Sequence, residues 1–188
     1  PLFPSSGKLR PLEALVLPGG FDDPLGLAEL VDLTALGGRQ EFLRELGMRA
    51  LDFPTYAVSH LPAALRENSV PAHKRQAAVE LLSSRIGELR DNKAARQALV
   101  LTPLVLTTDG SSRVATECYF DTSAVRDCLD GDANFAELPG DRNAAVRDLY
   151  TWLGVSDKPR LADVVRTLQE LSGRPYSSLL AGRIQTIL

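Results

Sequence analysis

A chain of 188 residues, 44% hydrophobic and 24% charged, has room for one ordinary domain or two small ones and the composition of a folded, soluble protein rather than a disordered one. Its formal net charge of −3 argues against a dedicated nucleic-acid binder, no apolar run nears the roughly 20 residues of a membrane span, and no signal peptide is visible. Two cysteines, Cys118 and Cys128, do not make a disulfide scaffold and read as reduced thiols of a cytoplasmic protein.

The first stretch, Leu2 to Pro11, reads as two short extended pieces around a Ser-Gly turn at Ser6-Gly7. Pro4 and Pro11 confine it to an edge hairpin. Pro18-Gly19-Gly20 is a loop, and Asp23-Pro24 is expected to start a helix that buries Leu27, Leu30 and Val31. After Gly37-Gly38, a helix with Phe42, Leu43 and Leu46 on one face stops at Gly47. Pro54 opens another, which Pro62 should kink or end. The longest helix follows Val70-Pro71. Val79, Leu82, Ile86 and Leu89 form its apolar stripe, with Arg75, Glu80, Arg85 and Glu88 off it, and Asn92 as its stop, followed by a further helical turn or two over Ala94 to Leu99.

Leu101 to Thr107 is the best strand, Thr108 to Ser111 a turn, and Arg113 to Tyr119 the returning strand. Asp121-Thr122 caps a helix with Val125, Cys128 and Leu129 inward, and Gly131 to Asp141 is a loop. Asn143 starts a helix with Val146, Leu149, Tyr150 and Leu153 on its apolar face, stopped by Gly154. The helix after Pro159 is expected to bury Leu161, Val164, Val165, Leu168 and Leu171, and a last helix runs from about Tyr176 to the end. Pro1 in place of Met and a helical C-terminus suggest a piece of a longer protein.

These landmarks recur in one order. Gly7 pairs with Gly110, Glu13 with Glu117, Asp23 with Asp121, Leu46-Gly47 with Leu153-Gly154, Pro54 with Pro159, and the run from Leu81 with the run from Leu179. The expected fold class is therefore α+β, mostly helical, in two tandem repeats of a hairpin followed by about four helices, residues 1–100 and 101–188. A unit of this kind has a face left over that a stacked neighbour covers.

Thr107-Thr108-Asp109-Gly110, Glu117-Cys118-Tyr119-Phe120, Leu153-Gly154-Val155 and Pro159 to Val165 resemble the repeat region of sacsin-like proteins, with the second copy closer than the first. Those are large proteins that carry an ATPase-like module of the gyrase, heat-shock-chaperone and histidine-kinase type elsewhere in the chain. The resemblance implies a chaperone-like or scaffolding role. The ATPase motifs are absent, so nucleotide binding does not carry over to this stretch.

No run reads as a catalytic, cofactor or metal site. His60 and His73 lack a nucleophile or acid partner and read as surface or capping residues. Asp130-Gly131-Asp132 lacks the spacing of a calcium loop, and neither Gly19-Gly20 nor Gly37-Gly38 precedes the Lys-Ser/Thr of a phosphate loop. The residues singled out for interaction are Trp152, Arg160, Arg166 and Arg174. Trp152 is a packing or partner-contact residue. The arginines would matter if the helices around Gly154 and Pro159 formed a winged helix in a nucleic-acid groove, as in a bacterial defence or repair module, but Asp163 and Glu170 share that helix. The sequence thus favours a non-catalytic, cytoplasmic segment with protein partners, or other domains of its own parent chain, and without cofactor or membrane contact. Nucleic-acid binding is the alternative.

Overall fold

The computed structural model describes residues 1–67, 70–129, 133–140 and 143–173, together with positions 182, 184, 185 and 187. The fold is α+β, with helices and small strand pairs. It divides into two compact units, Pro1–Leu99 and Val100–Leu188.

In the first unit, β1 (Leu2–Ser5) pairs antiparallel with β2 (Lys8–Pro11) in the register Leu2 to Pro11. Ser6 and Gly7 both take positive φ, 46° and 75°, as a two-residue hairpin turn requires. A single 3-10 turn, Leu12–Ala14, leads to an extended run. There Val16 bridges Leu30 and Leu17 bridges Ala50, both in parallel sense. Four backbone bonds tie this frame. Val31 N–H donates to the Val16 carbonyl (3.1 Å), Asp32 N–H to Pro4 (2.9 Å), Leu17 N–H to Arg49 (2.9 Å) and Leu51 N–H to Leu17 (2.9 Å). Phe3, Leu15, Leu17, Val31, Leu43 and Met48 form the core beneath it.

The helix expected from Asp23 does not form. The Asp23 carboxylate instead accepts the N–H groups of Leu25, Gly26 and Ala28, and Gly26 sits at φ 66°. This local side-chain bonding offers the backbone an alternative to the helix, and Leu30 becomes a bridge residue. Helix α1 (Gln40–Glu45) buries only Leu43. Its end carries two bonds, Gly47 N–H to Arg44 (2.9 Å) and Met48 N–H to Leu43 (3.0 Å), with Gly47 at φ 90°. That is the Schellman pattern, in which a residue without Cβ turns left-handed and satisfies the last carbonyls.

Asp52 caps the next helical stretch, accepting from Thr55 N–H at 2.9 Å. It comprises α2 (Phe53–Thr55), a π-helical turn (Tyr56–His60) and α3 (Leu61–Arg66). Pro62 therefore neither ends nor breaks the helix. The wider turn, with Leu61 N–H reaching back to the Tyr56 carbonyl, makes room for a ring that would otherwise strike the carbonyl four residues back. Helix α4 (Ala72–Ser84) buries Val79 and Leu82, while Ile86 and Leu89 complete the stripe from a 3-10 turn beyond its end. Arg75, expected off the stripe, is buried. Its guanidinium donates to the carbonyls of Leu65 (3.0 Å), Glu67 (2.7 Å) and Val70 (3.2 Å). Asn92 starts a helix rather than stopping one, since its side chain accepts from Ala95 N–H at the head of α5 (Lys93–Val100).

In the second unit the expected long strand shrinks to β3 (Val105–Leu106), paired with β4 (Ser112–Arg113). Pro103 supplies no donor, and Leu101 is exposed. Gly110 turns the hairpin at φ 80°. The expected return strand is interrupted by a 3-10 turn, Ala115–Glu117, after which β5 (Cys118–Tyr119) pairs in parallel with β6 (Asn134–Phe135). Ala136 N–H donates to Tyr119 (2.8 Å), Glu137 N–H to Leu106 (2.8 Å) and Phe120 N–H to Ser156 (2.8 Å). Helix α6 (Ser123–Leu129) starts where Thr122 Oγ1 accepts from Val125 N–H. Helix α7 (Asn143–Leu153) buries all four residues of its apolar face. Gly154, at φ 106°, ends it, with Val155 N–H donating to Tyr150 at 2.9 Å. Helix α8 (Leu161–Ser172) departs from expectation. It buries Thr167 and Leu171, whereas Leu161 is 78% and Val165 43% exposed. The Asp130-Gly131-Asp132 run and residues 174–181, with the start of the repeat of Leu81 at Leu179 and of the helix expected from Tyr176, lie outside the described residues, while the described positions 182, 184, 185 and 187 are helical.

Candidate functional site

Three of the four residues marked for interaction fall on α7, the turn after it and α8. The turn is short because Gly154 reverses the chain at once and Val155 is buried, so Ser156 bridges Tyr119. Ser156 Oγ then holds the loop, accepting from Lys158 N–H and donating to the Lys158 carbonyl. Arg160 follows as the residue preceding α8.

Its side chain does not face solvent as a phosphate-binding cation would. Arg160 Nη2 lies 3.0 Å from the Gly154 carbonyl, 3.1 Å from that of Cys118 and 3.4 Å from that of Ala115. The guanidinium stacks 4.5 Å from the centre of the Tyr119 ring, and Nη1 is buried without a hydrogen-bond partner. The backbone N–H of Arg160 donates to Tyr119 Oη at 3.2 Å. Tyr119 Oη in turn donates to the Asp163 carboxylate, whose other oxygen takes Arg166 Nη2 at 2.9 Å. Arg160 and Arg166 thus belong to one network centred on Tyr119 and Asp163, two residues that sequence patterning did not single out. Burial, and then the bond to Asp163, hold the Tyr119 phenol above its ordinary pKa. The Cys118 thiol, buried beside Glu117, is pushed up to about 12, so it is not a thiolate near neutral pH. Trp152 is half-buried on α7, and Arg174 lies outside the described residues.

The first unit carries a different feature. A groove of about 440 Å³ is lined by Phe3, Ala35, Leu36, Gly37, Arg39, Phe42 and Leu43. Beside it Phe42 and Leu46 stand 51% and 40% exposed on α1, and Leu2 is 61% exposed on β1. The sequence placed Phe42 and Leu46 on an apolar face without signalling that this face stays open.

Comparison with protein-family models, characterised proteins and solved structures finds no match to this chain. What the site can do therefore rests on its geometry. Among the described residues no three His, Cys, Asp or Glu side chains gather as metal ligands, and no helix is long and apolar enough to cross a membrane. The Tyr119–Asp163–Arg160 network fixes backbone to backbone. Among the described residues the apolar face of α1 offers contact area to something outside, as do Leu161 and Val165 on α8.

Proposed function

We propose that this chain is a non-catalytic structural and protein-interaction segment, built from two copies of one unit, of a larger, cytoplasmic, chaperone-like protein of the sacsin type. The observation that carries the reading is a backbone frame made twice. Val31 to Val16 has its counterpart in Ala136 to Tyr119, Asp32 to Pro4 in Glu137 to Leu106, and Leu17 to Arg49 in Phe120 to Ser156. The bonds that end α1, Gly47 to Arg44 and Met48 to Leu43, recur as Gly154 to Thr151 and Val155 to Tyr150. Each hairpin is followed by one 3-10 turn before its parallel bridge. The bonds come in the same order in both units, although the stretches between them differ: α6 (Ser123–Leu129) stands where the first unit has the loop held by Asp23, and α7 (Asn143–Leu153) is longer than α1 (Gln40–Glu45). This frame re-registers part of the sequence repeat. Asp121 directly follows Phe120, the counterpart of Leu17, so Asp23 and Asp121 are not equivalent.

A repeated hydrogen-bond frame around an apolar core specifies shape, and units of this kind act by stacking and docking. The nucleic-acid alternative has less support, because Arg160 is engaged by carbonyls and Arg166 by Asp163. Amide hydrogen exchange on the full chain tests the duplication. The slowest amides should fall at paired positions, Leu17 with Phe120, Val31 with Ala136 and Met48 with Val155. Protection at unrelated positions in the two units would remove the basis for it. Titration with a hydrolysable nucleotide and with labelled duplex DNA tests the function, and saturable binding of either by this chain would sink it.

A further inference from the structure

We draw no further inference here: the strongest candidate, the exposed apolar face of Phe42 and Leu46 on α1 with the groove beside it, carries none, because nothing in the structure shows what covers it.

Discussion

Replacing Arg160 by Ala separates a structural arginine from a phosphate-binding one. One nitrogen carries two hydrogens, so Nη2 satisfies at most two of the three carbonyls around it, best those of Gly154 and Cys118 at 3.0 and 3.1 Å. Hydrogen bonds from a charged donor contribute about 1.5–3 kcal/mol each, and leaving an acceptor buried and unpaired costs a similar amount. Stacking on Tyr119 adds about 0.5–1 kcal/mol. Opposing these, Nη1 is desolvated without a partner, so removing the side chain also relieves a cost. The net expectation is a loss of about 3 kcal/mol for Arg160→Ala. Arg160→Lys should lose about half of that, since an ammonium keeps the charge but not the planar fork. Urea denaturation followed by tryptophan fluorescence reads this out, because the chain's one tryptophan, Trp152, sits on α7 two residues before Gly154. The midpoint should fall with the slope unchanged. A loss below about 0.5 kcal/mol would place the guanidinium in solvent and return the winged-helix reading. Loss of DNA affinity in a variant of undiminished stability would do the same.

The helix ends make a paired prediction. Gly47→Ala and Gly154→Ala should each cost about 1–2 kcal/mol, since both sit at strongly positive φ, whereas Gly87→Ala, with open space around it, should be near neutral. Thermal unfolding checks this, and a large cost at only one end would count against equivalent caps. Gly19 is constrained differently. A Cβ there would lie 1.5 Å from the Leu51 carbonyl oxygen, so Gly19→Ala must displace backbone and should destabilise the first unit by more than about 2 kcal/mol. At alkaline pH, burial raises the pKa of Tyr150 and Cys118, each to about 12. Their neutral forms are favoured in the fold, so the stabilisation is complete below the unfolded pKa values of about 10 and 8.5. It declines as pH rises toward 12, by up to about 1.4 kcal/mol per pH unit for each group. Denaturant midpoints between pH 8 and 11 that stay flat would refute this. For the same reason Cys128 should react with a thiol reagent at neutral pH long before Cys118, as peptide mapping of the labelled chain would reveal.

What the sequence made legible was the part written in periodicity and glycine. The apolar face of α7 and the stops at Gly47 and Gly154 follow from spacing alone, because a helix end needs a residue without Cβ whatever the tertiary context. The strands were overread. Leu101 to Thr107 has the composition of a strand, but Pro103 lacks a donor and pairing begins only at Val105. The helix at Asp23 was lost to side-chain bonding that a capping rule reads with the same residue type. The π-helical turn before Pro62 could not be seen either, since it arises from packing that keeps the helix running.

The arginines carry the larger lesson. By composition Arg75 and Arg160 are surface charges; periodicity puts the first off the apolar stripe, and the second is a candidate interaction residue that would touch nucleic acid only in the winged-helix alternative. Both instead reach carbonyl groups in irregular segments: Leu65, Glu67 and Val70 around the end of α3, and Gly154 and Cys118 around the end of α7. A chain with strand pairs this short has many carbonyls with no ladder partner, and buried ones need donors from elsewhere. Arginine supplies five donors on a stem long enough to cross a turn. In such a fold a lone arginine beside a helix end is better read first as backbone mortar than as a binding residue. The surface left for partners is then the one that still exposes large apolar side chains, and on the first unit that is the face of Phe42 and Leu46.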